Sequence, residues 1–311
     1  MSRSAVLVVG SITADVTAFA DRLPRPGETV LGNDFTLVLG GKGANQAVSA
    51  AHFGAPTTMI GCVGEDPFAD LTRDSLRGHG VDIGWVRQVP GPTGVAHIRV
   101  DAAGQNDIVI TPLANAELTE AMVDAALAEL AGRSAVMLLQ LEIRKEITEY
   151  AARAGRASGL RVIVDPAPAA TLPEDLWPDV DIVTPNESEA SALTGIDVSD
   201  VDSAVRAGRW FTERGVARAV ITLGERGAVS VTAEGHTEFA AFTVDVVDTT
   251  AAGDAFTGTL GAALALGQDF AEATRLAMAA GALAVTAPGA SPSLPHRDAI
   301  TALSTRAREA S

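Results

Sequence analysis

From residue 119 onward the chain alternates between short uncharged apolar runs and stretches in which apolar residues recur at helical spacing. The runs are 135–141, 162–164, 182–183 and 219–223, and the helical stretches are 120–130, 144–158, 187–193 and 203–214. Thr119 stands where it can cap the first helix, in which Val123, Leu127 and Leu130 recur. Uninterrupted apolar runs suit parallel strands covered on both faces. Strand–helix alternation with right-handed crossovers predicts an α/β fold, a doubly wound and mostly parallel sheet flanked by helices. Such sheets bind ligands beyond the carboxyl ends of their strands. Glu142, Asp165, Asn186 and Gly224 each follow closely on a predicted strand end.

The first third of the chain has a different texture. Residues 5–10 read as a buried strand, 45–54 as a helix and 57–63 as a strand, while 13–39 hold short alternating segments around Pro24, Pro26 and Gly27. Residues 93–111 read as a hairpin, because Val95, His97, Arg99 and Asp101 alternate with Ala96, Ile98 and Val100 ahead of a turn at 102–106. A hairpin with one polar face, inserted in an α/β chain, is a candidate lid. No repeat or linker divides the sequence. The expectation is a single domain over 1–311 with a discontinuous β lid from about 13–39 and 93–112.

Composition removes several function classes. Hydrophobic residues make up 47% and charged residues 20%, which supports a large core and argues against disorder. A net charge of -16 repels phosphate backbones, so nucleic acid is a poor partner, and any nucleotide site has to supply its own donors or cations. The single cysteine, Cys62, excludes a disulfide framework and suits a reducing cytoplasm. The apolar run at 5–9 is too short for a signal-peptide core, and the segment closest to a membrane span, 255–266, is punctuated by glycine and bounded by Asp254 and Asp269. The histidines show no metal-ligand spacing: His97 reads as an inward lid residue, and His52, His79, His236 and His296 as surface or capping residues.

Two local motifs carry chemistry. In Asp248-Thr249-Thr250-Ala251-Ala252-Gly253-Asp254 a turn of small residues runs into an apolar helix with Phe256, Leu260, Ala263 and Leu264 at helical spacing. Backbone N–H groups there can point at an anion, and the helix dipole favours negative charge. Asp254 beside that hole can accept the proton of an attacking hydroxyl, or it can simply cap the helix. In Gly40-Gly41-Lys42-Gly43-Ala44-Asn45-Gln46 the glycines allow close backbone approach to a small polar ligand, with Lys42 and Asn45 as donors. Its spacing is not that of a Walker A loop, and a tight turn into a helix is the alternative reading.

These two motifs, in this order, resemble the signatures of the ribokinase-like carbohydrate kinases, the PfkB family. Gly10-Ser11-Ile12-Thr13-Ala14-Asp15, Pro26-Gly27-Glu28-Thr29, Thr93-Gly94-Val95-Ala96, Asn115-Ala116, Gln140-Leu141-Glu142, Pro166-Ala167-Pro168, Thr184-Pro185-Asn186-Glu187 and Ile221-Thr222-Leu223-Gly224 resemble the ribokinase branch over about 5–297. The resemblance implies transfer of the γ-phosphoryl of ATP to the 5-hydroxyl of D-ribose, with Asp254 as base and Ala251, Ala252 and Gly253 as anion hole. It implies a sugar site of Thr13, Asp15, Gly41, Lys42, Asn45, Glu142 and Asp254. It implies nucleotide contacts at Asn186, Thr222, Gly224, Gly227, Gly253 and Met278. It further implies Mg²⁺ near Glu189 through water, and K⁺ at Asp248, Thr250, Ala284, Ala287, Gly289 and Ser293. A homodimer through lid strands is also expected.

The chain departs from that branch at Thr13, where an amide is usual, at Leu113, where glycine is usual, and at Thr257 and Met278. Thr13 offers one hydroxyl in place of two amide donors, which bears on the choice between ribose and a deoxy sugar. A nucleoside kinase would need stacking partners, and the lid segments hold only Phe19 and Phe35. A non-catalytic sugar binder on this fold would need no base at Asp254. A nicotinamide dehydrogenase lacks its Gly-x-Gly-x-x-Gly turn here.

Overall fold

The structure, a computed structural model, describes residues 3–309. The chain begins with β1 (Ala5–Val9), β2 (Thr13–Phe19), β3 (Asp34–Gly40), α1 (Lys42–His52), β4 (Thr57–Val63), α2 (Pro67–Gly78) and β5 (Asp82–Gln88). It continues with β6 (Gly94–Val100), β7 (Asn106–Thr111), α3 (Glu120–Leu130), β8 (Ser134–Leu139), α4 (Lys145–Ala157), β9 (Arg161–Val164) and β10 (Ile182–Val183). The remainder is α5 (Glu187–Thr194), α6 (Val201–Thr212), β11 (Arg218–Thr222), β12 (Ala228–Thr232), β13 (Gly235–Phe239), α7 (Ala252–Ala265), α8 (Phe270–Ala284) and α9 (Arg297–Glu309).

Among the described residues the strands form a nine-stranded sheet, β13-β12-β11-β10-β9-β8-β1-β4-β5, and a four-stranded sheet, β3-β2-β6-β7. Neighbours from β11 through β5 are parallel, and β12 and β13 close one edge as an antiparallel hairpin. The apolar runs become strands because both of their faces are covered. Val6 and Val8 face a core shared with α1, α2, α7 and α8, whereas Leu7 and Val9 face a second core shared with α3, α4 and α6. Each such fully buried side chain contributes roughly 1.5–3 kcal/mol relative to exposure.

Helix starts follow local chemistry. Thr119 accepts from the Met122 N–H, Asp66 from Ala69, Asp200 from Ser203 and Asp269 from Glu272. Capping by Asp200 starts α6 two residues earlier than its apolar pattern suggests. The expected helix at 45–54 instead begins at Lys42, so the glycine-rich loop is itself the first turn of α1.

The small sheet keeps the expected polar side on β6, where Arg99 is exposed, and adds apolar exposure at both of its edges. Ile108, Val109 and Ile110 are exposed on β7, and Phe35 is exposed on β3 at the opposite edge, with Leu31 ahead of it. His97 is exposed on β6.

Three histidines expected as separate surface or capping residues pack together where α1 and α2 end and α9 begins. The His52 ring lies 3.8 Å from His296, stacked, and its Nε2 is 3.0 Å from His79 Nδ1. Its Nδ1 lies 3.1 Å from the Leu294 carbonyl oxygen, to which it can donate. Burial, reinforced by His296, lowers the His52 pKa to about 4.

Candidate active site

The site lies where the starts of α1 and α7 meet the carboxyl ends of the central strands. Gly41, the residue before α1, has φ 90°, a left-handed value that glycine adopts without strain. At Gly43 a Cβ would stand 2.6 Å from the Ser11 backbone nitrogen, so only glycine lets α1 approach the end of β1 this closely. The contact builds an anchor for Glu142. Ser11 Oγ donates to Glu142 Oε2 at 2.6 Å, the Lys42 N–H donates to the same oxygen at 2.8 Å, and the Gly43 N–H donates to Ser11 Oγ at 3.2 Å. A carboxylate held by a helix N-terminus keeps its other oxygen for ligands.

β2 carries Thr13 and Asp15, both buried. Thr13 Oγ1 donates to Asp15 Oδ1 at 2.7 Å. Gly40 faces this carboxylate so closely that a Cβ would overlap it. Burial pushes the Asp15 pKa up to about 6; the Thr13 hydrogen bond opposes this, and Glu142 and Asp254 reinforce it. Asn115 ties the strand that leads into the small sheet to the segment that returns from it. It accepts from the Ile12 N–H and donates to the Ile12 carbonyl, each at 2.9 Å.

Asp254 is buried in the first turn of α7 and does not cap it. That position falls to Ala251, at φ 59°, with no side-chain cap. Asp254 accepts from Asn45 Nδ2 at 2.9 Å and from Gln46 Nε2 at 3.2 Å. A Cβ at Gly253 would meet nothing within 4 Å, so the opening turn of α7 faces free space. Its N–H groups lack intrahelical acceptors, as at any helix start, and can receive an anion. Lys42 enters the same region. Burial disfavours its charged form, but Asp254, Asp165, Glu142 and Glu189 outweigh that and raise its pKa. Asp165, fully buried at the end of β9, is raised well above the usual carboxylate range by burial, against the pull of Lys42.

Asn186 caps α5 in a reciprocal capping box. Asn186 Oδ1 accepts from the Glu189 N–H, and Glu189 Oε2 accepts from the Asn186 N–H, both at 2.9 Å. A parallel bridge brings Asn186 beside Thr222. Gly224 and Gly227 follow at φ 56° and 94°, and a Cβ at 227 would overlap the Phe239 carbonyl oxygen. Met278 lies in the buried core on α8 rather than on the open rim.

The residues named for K⁺ are partly joined. Asp248 Oδ1 accepts from the Thr250 N–H (2.9 Å) and hydroxyl (2.7 Å), and its Oδ2 accepts from the Gly289 N–H at 2.9 Å. Burial works against ionisation of Asp248, and these donors bring its pKa below the usual range. The Ser293 hydroxyl donates to the Ala290 carbonyl at 2.8 Å, and the Ala284 carbonyl faces the Ala287 N–H at 3.4 Å.

Gln46 and Asp165 join the site without standing out in it as sequence. Gln46 is an ordinary helix residue in its local pattern, and Asp165 is marked only by following a strand. Leu113, at φ 48°, explains why glycine is favoured there.

Residues 3–297 match the family described as pfkB family carbohydrate kinase. The chain is 39% identical over 297 residues to a ribokinase of Haemophilus influenzae, covering 95% of this chain and 96% of that protein. It is 35% identical over 292 residues to a deoxyribokinase of Salmonella typhi, covering 93% and 95%. The structure of Arabidopsis thaliana ribokinase complexed with ribose and ATP superposes with a TM-score of 0.91 at 35% identity, covering 98% of this chain and 99% of that one. Matched along nearly its whole length, with an acid beside an open helix start and buried carboxylates before it, the chain belongs to the pfkB family of carbohydrate kinases and is a phosphotransferase acting on sugars.

Proposed function

We propose that this kinase is a ribokinase, transferring the γ-phosphoryl group of ATP to the 5-hydroxyl of D-ribose. The observation that carries the reading is the convergence of Asp15, Glu142 and Asp254 beside the open start of α7. Ionised carboxylates accept hydrogen bonds only, so a wall of them selects a ligand that presents several hydroxyls. In this reading Thr13, Asp15, Gly41, Lys42, Asn45 and Glu142 hold the sugar. Asp254 takes the proton of the attacking hydroxyl, and the N–H groups of Ala251, Ala252 and Gly253 receive charge on the transferring group.

Asn186, Thr222, Gly224, Gly227 and Gly253 line the nucleotide side, with Met278 behind them. Glu189 has one oxygen committed to its capping box, and the other suits a water-mediated hold on Mg²⁺. The ion would neutralise charge on the phosphates. Asp248, its pKa held low, is proposed to hold a large hard cation such as K⁺ together with oxygens of Thr250, Ala284, Ala287, Gly289 and Ser293.

The small sheet is assigned as a lid on a single domain. Closing it over the sugar excludes water, which limits ATP hydrolysis. Its exposed Phe35, Ile108, Val109 and Ile110 favour pairing of two lids in a homodimer. A cytoplasmic location fits the lone buried thiol of Cys62.

Thr13 supports a second reading as a 2-deoxyribose kinase, because its hydroxyl proton is committed to Asp15 and leaves no donor for a sugar oxygen. ATP turnover across ribose, 2-deoxyribose, other pentoses, hexoses and nucleosides decides. Highest kcat/KM with ribose supports the proposal, preference for 2-deoxyribose supports the second reading, and preference for a nucleoside overturns both.

A further inference from the structure

Gln46 sits between two buried acids. Its Nε2 donates to Asp165 Oδ2 at 2.8 Å and to Asp254 Oδ1 at 3.2 Å, so both amide protons are used. Its Oε1 accepts from Gln140 Nε2 at 2.5 Å. The direction of this chain is fixed by chemistry. Asp254, read as the ionised base, only accepts, and Asp165, even where burial keeps it protonated, accepts through its unprotonated oxygen, so the amide turns its NH₂ toward them and its oxygen toward Gln140. Gln140 must then turn its own NH₂ toward Gln46, and this strands Gln140 Oε1, a buried oxygen without a partner among the described residues. That oxygen occupies the space a Cβ at Gly10 would fill.

Leaving a buried acceptor unpaired costs free energy, and the arrangement keeps it so that Gln46 stays in one orientation. The Gln140 backbone is itself held, its carbonyl accepting from Thr148 Oγ1 at 2.9 Å. The floor below is equally close: a Cβ at Gly258 of α7 would stand 2.5 Å from the Gln46 carbonyl oxygen.

We infer that Gln46, oriented by Gln140, is a positioning residue for the phosphoryl transfer: it fixes the rotamer of Asp254. The inference rests on the reading of Asp254 as the base. With Asn45 on Oδ2 and Gln46 on Oδ1, both oxygens of Asp254 are held, so loss of the Gln46 amide frees the carboxylate to leave the reacting geometry. Gln46 itself moves no proton and touches no substrate.

The test compares kcat and sugar KM for the wild type, Gln46→Leu, Gln140→Leu, the double variant and Asp254→Asn, each with ribose and ATP and each corrected for folded fraction. Gln46→Leu is expected to lower kcat about 10- to 100-fold and leave the sugar KM within about threefold. Gln140→Leu, which touches neither carboxylate, is expected to lower kcat by less, again with KM held. The double variant is expected to be no worse than Gln46→Leu alone, because both act through one amide. A merely structural role would lower melting temperature and leave kcat per folded molecule in place.

A wild-type kcat in both single variants overturns the inference, as does a double variant whose loss is the product of the two. If Gln46→Leu does not fold, the kcat of Gln140→Leu decides alone. An inactive Asp254→Asn beside single variants of wild-type kcat removes only the role of Gln46. A fully active Asp254→Asn removes the base assignment beneath it.

Discussion

Asn45 in the second position of a glycine-rich helix turn after Gly43 donates to Asp254 at 2.9 Å across 209 residues of sequence. The bond joins the two motifs into one constellation, with α1 and α7 packed side by side. Ser49 Oγ continues the seam by donating to the Ala255 carbonyl at 3.0 Å. Asn45 Oδ1 has no partner among the described residues, which leaves it open as a further acceptor on the proposed sugar side.

Replacing Asp254 by Asn sets an amide against two amide donors and removes the proposed proton acceptor. We expect kcat to fall by about 10²–10⁴-fold with sugar KM within about threefold. Steady-state kinetics with varied ribose checks this, and an equal loss through KM alone would contradict the base role.

The sugar-binding role proposed for Asp15 carries an acid boundary. With its pKa raised to about 6, Asp15 is fully available as an ionised acceptor only above that pH. The kcat/KM for the sugar should therefore decline as pH falls through about 6, and Asp15→Asn should lose about 10- to 100-fold while flattening that decline. The linkage to folding runs the other way. The folded chain holds this proton more tightly than the unfolded chain does, so the contribution of Asp15 to stability is greatest at low pH and is lost as pH rises through 6.

Glu189→Gln separates metal binding from helix capping. Glutamine can still complete the capping box, so melting temperature should move by no more than about 1 °C. The Mg²⁺ concentration for half-maximal activity should rise about tenfold. A magnesium titration beside a thermal melt reads both, and an unchanged titration would remove Glu189 from the metal site.

His52 predicts an acid weakness far from the chemistry. Its folded pKa of about 4 lies below the ordinary histidine value, so the unfolded chain binds more protons between the two. Stability is complete above about 6.5 and falls as pH drops toward 4. Melting temperature should fall by roughly 2–4 °C between pH 7 and 5 from this group, and His52→Gln should remove that part of the slope.

Gly43→Ala should cost about 1–3 kcal/mol, because the new methyl would meet the backbone of Gly10 and Ser11, which cannot yield as a side chain would. A urea midpoint measures it. Loss of the Ser11–Glu142 anchor should raise the sugar KM in the same variant.

Much of this architecture is legible in sequence because it depends on local pattern. Continuous apolar runs announce β8, β9 and β11, Thr119 announces α3, and small residues announce the open start of α7. What escapes local pattern is what depends on assembly. Gln46 looks like any polar residue on a helix until β9 brings Asp165 and α7 brings Asp254 against it. His52, His79 and His296 are dispersed along the chain and meet only when three helix ends converge. The apolar surface of β7 is hidden from an alternation argument because three consecutive residues, Ile108, Val109 and Ile110, are exposed together. The left-handed backbone at Ala251 is equally invisible, since alanine carries no conformational signature of that kind.

Asp15 rides on a strand of the small sheet, whereas Glu142 and Asp254 belong to the rim of the large one. A sugar that engages all three is a strut between two bodies, and its grip on one is transmitted to the other. Fidelity then needs no separate checkpoint. An acceptor molecule too short or too poor in hydroxyls to span the gap fails as a mechanical link before it fails as a chemical substrate, and water, which spans nothing, is rejected by the same criterion.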